Sequence, residues 1–137
     1  MLDEVNVLTL ISSESCNLNC KYCTIAEGLK NNPEHLRIVK ELKESLATGK
    51  YLDNIDLVVK KYNIDKNKIT HLALWGQEPT ITLNEITNLI PRIHEEYPNI
   101  YNVFFSTNGV SYYERIVNLA KMLDDTLVNQ ENPTLDI

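Results

Sequence analysis

Three short runs rich in β-branched and aromatic residues recur along this chain, and each is followed by apolar positions at helical spacing. The runs are Val5 to Ile11 (VNVLTLI), Ile69 to Trp75 (ITHLALW) and Tyr101 to Ser106 (YNVFFS). Few folds accept such alternation. Strands joined through a helix run parallel, because a tight hairpin leaves no room for the helix. The sequence therefore predicts an α/β fold, a parallel sheet with flanking helices, either open or part of a barrel. The continuous apolar character of Val5 to Ile11 predicts a buried strand.

The connecting segments carry helix signals. Asn32 is placed to cap and Pro33 suits a first helical position. Leu36, Val39, Leu42 and Leu46 form a stripe that Gly49 should stop. A second stripe is Ile55, Val58, Val59 and Tyr62, ending near Asn63. Thr82 with Glu85 reads as a capping box before Ile86, Leu89, Ile90 and Ile93, and Pro91 should kink or weaken that helix. Ser111 with Glu114 reads as another box before Ile116, Leu119, Ala120 and Leu123. Asn132-Pro133 should turn the chain into Leu135 to Ile137, the beginning of a fourth strand.

Ligands of parallel sheets bind beyond the carboxyl ends of the strands. The three unusual loops of this chain all fall there: the segment after Ile11, Gly76 to Pro79, and Thr107 to Gly109. The first holds every cysteine of the chain, in the pattern Cys16-x3-Cys20-x2-Cys23. Three clustered thiols, an odd number, point to metal rather than disulfides in a reducing compartment. They can hold three irons of a four-iron cubane, leaving the fourth open to an external molecule. A zinc site with His35 as fourth ligand is the alternative.

Composition narrows the partners. Thirteen basic against nineteen acidic residues give a net charge of −6, which argues against nucleic acid and against a polybasic membrane anchor. Met1-Leu2-Asp3-Glu4 is acidic where a signal peptide is basic, and no apolar run approaches the roughly 18 residues of a membrane span. A cytoplasmic location is the expectation. His71 and His94 read as structural or solvated, and the charged stretch from Lys60 to Lys68 as solvated surface.

The cysteine spacing resembles the signature of the radical S-adenosylmethionine (radical SAM) superfamily. Two further motifs follow in the same order. Gly76-Gln77-Glu78-Pro79 is similar to the family's Gly-Gly-Glu-Pro motif, and Ser106-Thr107-Asn108-Gly109 to its Ser-Thr-Asn-Gly motif. The style is closest to the branch of anaerobic sulfatase maturases and peptide-modifying (SPASM) enzymes. The resemblance implies a [4Fe–4S] cluster on Cys16, Cys20 and Cys23, with S-adenosylmethionine on its open iron. It implies cofactor contacts from Tyr22, Gly76, Gln77, Glu78, Ser106 and Asn108. Reductive cleavage of the cofactor to a 5′-deoxyadenosyl radical, hydrogen abstraction from a peptide or protein substrate, and an electron donor come with it.

Elementary chemistry agrees with the transfer. Gly76 allows close backbone approach. The Glu78 carboxylate can accept from an ammonium group. Asn108-Gly109 permits a turn with positive φ. Gln77 departs from the motif's second glycine. The family's core is a partial (β/α)6 TIM-like barrel, and residues 1–137 would form its first half, truncated at the start of the fourth strand. Two other readings stand beside the enzyme: an inactive cluster-binding or partner-binding module, pairing through an exposed sheet edge, and a zinc-binding interaction domain.

Overall fold

In the computed structural model, residues 5–13, 32–76, 78–109, 112–126 and 134–137 are described. Four strands form one sheet: β1 (Val7–Ser13), β2 (His71–Gly76), β3 (Asn102–Phe105) and β4 (Thr134–Asp136). Their order is β1-β2-β3-β4 and every pairing is parallel. Neighbours in sequence stay neighbours in space, the winding of a β/α barrel rather than of a doubly wound sheet, whose order reverses. The expected α/β class and all four strands are present.

β1 differs from the expectation at both ends and in character. It runs two residues further than Ile11, and its burial alternates. Leu8 and Leu10 are buried, while Val7, Thr9 and Ile11 are exposed. The face carrying Val7, Thr9 and Ile11 stays largely open among the described residues, so an apolar run is half-buried instead of enclosed. The covered face continues through Leu72 and Leu74, then Val103 and Phe105, with Leu135 packed behind them. Each wholly buried Leu or Ile contributes about 1.5–3 kcal/mol relative to exposure.

The helices supply the other half of that core. α1 (Pro33–Thr48) begins where Asn32 Oδ1 accepts from the Glu34 and His35 amides, at 2.9 and 3.4 Å. Gly49, at φ 80°, ends α1 and opens α2 (Lys50–Lys61) directly. The stripe expected on α2 is rotated. Leu52 and Val59 are buried and Ile55 packs against the core, while Val58 and Tyr62 are exposed. Asp53 and Asp56 help set this rotation, since both pair with Arg92 of the facing helix, at 2.6 and 3.3 Å. Arg92 also donates to the Gly49 carbonyl at 2.9 Å, and hydrogen bonding to the Asp53 carboxylate raises its guanidinium above the usual arginine range.

α3 (Leu83–Glu96) buries Ile86, Leu89, Ile90 and Ile93, as the periodicity predicts. Its capping box does not form: the Thr82 side chain makes no cap bond, and its hydroxyl donates to the Pro79 carbonyl at 3.4 Å. A 3-10 turn, Pro79–Thr82, brings the chain into α3 and reorients that hydroxyl. The helix continues through Pro91, whose ring is exposed, because Ile90 and Ile93 keep their places in the core. α4 (Tyr113–Thr126) buries Leu119 and Leu123 and packs on α3. Ser111 and the turn at Asn132-Pro133 lie outside the described residues. Among the described residues no helix is long and apolar enough to cross a membrane.

The two histidines are accounted for differently. His71 Nδ1 lies 2.7 Å from the Thr70 hydroxyl, and its ring stands edge-on to Tyr101. His94 Nδ1 is buried and has no partner among the described residues.

Candidate functional site

The first three of the four parallel strands end at one edge, and the chain changes character there. A register shift between Ile11 and Ser13 sets Ser13 opposite Gly76. Gly76 has φ 137°, a backbone state that side chains of L-residues rarely adopt, so glycine is required at this bend. The Ile11 amide donates to the Tyr51 phenol oxygen at 3.0 Å. α2 thereby holds the last stretch of β1 just before the cysteine segment of the sequence.

Glu78 is wholly buried, and its carboxylate faces the loop after β3. It accepts from the Thr107 hydroxyl through both oxygens, one contact very short and the other 3.0 Å. It also accepts from the Asn108 amide at 2.9 Å. The Thr107 oxygen in turn accepts from the Gly109 amide at 3.2 Å, and Gly109 takes φ 70°. The two motifs that sequence places thirty residues apart are thus joined by one carboxylate. An anion serves well here because hydroxyl and amide donors converge on it, and charge-assisted bonds are stronger than neutral ones.

Ser106 and Asn108 are exposed at the same edge. A cavity of about 480 Å³ opens beside them, lined by Trp75, Gly76, Phe104, Ser106 and Asp136 among others. Its size falls within the roughly 300–1,000 Å³ of small-molecule sites. Trp75 is 63% exposed and supplies an apolar wall; Asp136 adds a carboxylate, whose Oδ2 accepts from Asn102 at 2.9 Å. A glycine edge, an exposed serine, an aromatic wall and a carboxylate fit a polar, nucleoside-bearing cofactor.

The sequence-predicted residues divide cleanly. Gly76, Glu78, Ser106 and Asn108 come together at this edge. Cys16, Cys20, Cys23, Tyr22 and Gln77 lie outside the described residues. Among the described residues no three His, Cys, Asp or Glu side chains are placed to hold a metal, and His35 sits in the first turn of α1. Sequence reasoning missed two participants. Thr107 was visible only as a motif member. Tyr51 carries no local signal, since it acts on a backbone amide distant in sequence.

Residues 10–129 match the radical SAM superfamily, and the chain belongs to that family. Members of the superfamily bind a [4Fe–4S] cluster and S-adenosylmethionine. A GTP 3′,8-cyclase from Pelotomaculum thermopropionicum is 28% identical over 135 residues, covering 97% of this chain and 35% of the relative. The radical SAM cyclopropyl synthase TigE from Paramaledivibacter caminithermalis is 25% identical over 128 residues, covering 88% of this chain and 27% of the relative. A mouse protein, molybdenum cofactor biosynthesis protein 1, is 27% identical over 129 residues, covering 94% of this chain and 17% of the relative. The chain thus spans about a third or less of the length of these curated relatives. No solved structure gives a significant match.

Proposed function

We propose that this chain is the cluster-bearing part of a radical SAM enzyme core. In this reading residues 1–137 form the first half of the partial barrel. Cys16, Cys20 and Cys23 bind three irons of the cubane. Tyr22, Gly76, Gln77, Ser106 and Asn108 line the S-adenosylmethionine site, and Glu78 serves it through the loop it holds. The observation that carries the proposal is the union of Gly76–Glu78 and Ser106–Gly109 at the strand ends, beside the cavity and directly after β1 leads into the cysteine segment.

When bound, the cluster supplies the electron that cleaves S-adenosylmethionine to methionine and a 5′-deoxyadenosyl radical. The chain's own residues bind and orient. The Gly76 backbone, free of a Cβ, lets a ligand approach the strand end. The Trp75 and Phe104 side chains line the cavity. Glu78, already satisfied by Thr107 and Asn108, keeps the third loop in place without rearranging on binding.

The style of the three motifs supports a peptide or protein substrate. An electron donor completes the reaction. Beside it stands a second reading, a module that binds the cluster without turnover by itself.

Anaerobic reconstitution tests the proposal. Iron and acid-labile sulfide in equal amounts, with release of 5′-deoxyadenosine under reduction, support the enzyme. A cluster without cleavage supports the module. One zinc and no sulfide overturns both.

A further inference from the structure

We infer that Arg115 is a positioning residue for the cofactor site. From the first turn of α4 it locks the turn Pro79–Thr82 to the loop after β3, so that the segments following β2 and β3 act as one unit. The inference rests on the functional reading above and adds a residue outside the three motifs.

Arg115 Nη1 donates to the Thr80 carbonyl at 3.1 Å and to the Ile81 carbonyl at 2.7 Å. Its guanidinium carbon lies 3.9 Å from the centre of the Tyr112 ring. Two residues upstream of Thr80, the Glu78 carboxylate holds Thr107 and Asn108. A closed circuit results. The segment 78–81 receives donors from 107–108 at one end and from 115 at the other, and residues 107–115 are covalently continuous. Each tie limits the motion that would break the other.

Two features argue that the circuit serves the site rather than the fold alone. The residues it fixes flank Gly76 and Ser106, which line the cavity, while Arg115 does not line that cavity. Tyr112 also takes φ 64°, an uncommon state for a non-glycine residue, and so maintains a locally unfavourable backbone where its ring lies against the guanidinium. Lysine could offer a charge there but not a planar face on the ring.

The test uses the whole chain with its cluster reconstituted, as wild type, R115A, R115K and N32A. The last loses the α1 cap and serves as a destabilised control with the circuit intact. Two quantities are read: hydrogen exchange at the Asn108 amide, and the dissociation constant for S-adenosylmethionine. Loss of charge-assisted contacts predicts both to rise about tenfold or more in R115A, less in R115K, and neither in N32A. Unchanged Asn108 exchange in R115A overturns the circuit whatever the cofactor does. An equal rise in N32A overturns it as general destabilisation. Failure of the wild type to bind S-adenosylmethionine, with Asn108 exchange responding as expected, instead overturns the functional reading and with it the cofactor role of Arg115.

Discussion

Replacing Glu78 tests whether one buried carboxylate joins the two loops. In E78A the Thr107 hydroxyl and the Asn108 amide lose their acceptor. Thr107 is half-buried and Asn108 exposed, so water reaches both in part, and each loss falls near the low end, about 1 kcal/mol. Removing the aliphatic part of a wholly buried side chain adds roughly 0.8 kcal/mol per methylene. Relief from burying a charge opposes these losses, and the net expectation is about 2–3 kcal/mol. E78Q keeps the volume and one acceptor oxygen, and loses only the charge assistance, for about 1 kcal/mol or less. Urea unfolding at unchanged slope reads both values. An E78A variant within about 0.5 kcal/mol of wild type, or an E78Q as costly as E78A, would show that the Glu78 carboxylate does not join the two loops.

Other sites give independent checks. A Cβ on Gly49 would sit 2.8 Å from Arg92 Nη1 and force φ 80° on an alanine, so G49A should cost about 2–3 kcal/mol in urea unfolding; a loss under about 1 kcal/mol would show that the Arg92 contact contributes little. Asn32→Ala should cost about 1 kcal/mol through the lost cap of α1, with a neutral result in thermal unfolding counting against it. Burial raises the Glu96 carboxyl above its usual range, and hydrogen bonding to Asp56 adds to the shift. The folded state then binds that proton more tightly than the unfolded chain, so this group's contribution falls as pH rises from the ordinary carboxylate range through the raised value. E96Q should remove that decline, so that its stability relative to wild type is greater at about pH 7 than at about pH 4.5; the opposite trend in chemical denaturation contradicts the assignment. Alanine at Cys16, Cys20 or Cys23 should prevent a cubane from forming, and an unaltered cluster in any of the three would remove that residue from the ligand set.

Much of this architecture was legible in the residues because local signals agreed with the tertiary outcome. Asn32-Pro33 and Gly49 bound α1 as read, since caps depend on a few adjacent atoms. The stripe of α3 held because four spaced apolar residues outweigh one exposed proline. The failures have tertiary causes. Thr82-x-x-Glu85 has the form of a capping box, but the preceding 3-10 turn gives the hydroxyl another acceptor. Val58 and Tyr62 fit a helical stripe equally well, and the facing Arg92 helped decide which face turned inward. β1 is largely apolar from Val7 to Ile11 yet buried on one face, because sequence does not tell what covers the other.

The site was legible to a different extent. Motif order placed Gly76, Glu78, Ser106 and Asn108 at one edge, where the structure has them. The reading of Glu78 as a carboxylate open to an ammonium group meets a side chain that is buried and already engaged by Thr107 and Asn108. Arg115 was invisible because its partners are carbonyl oxygens, which every residue carries.

If the proposed function holds, this edge binds an open-iron cluster together with S-adenosylmethionine. Electron paramagnetic resonance of the anaerobically reconstituted, reduced chain tests it most directly. A [4Fe–4S] signal that shifts when S-adenosylmethionine is added is the expected result. A cubane signal indifferent to the cofactor, or no cubane at all, would contradict it.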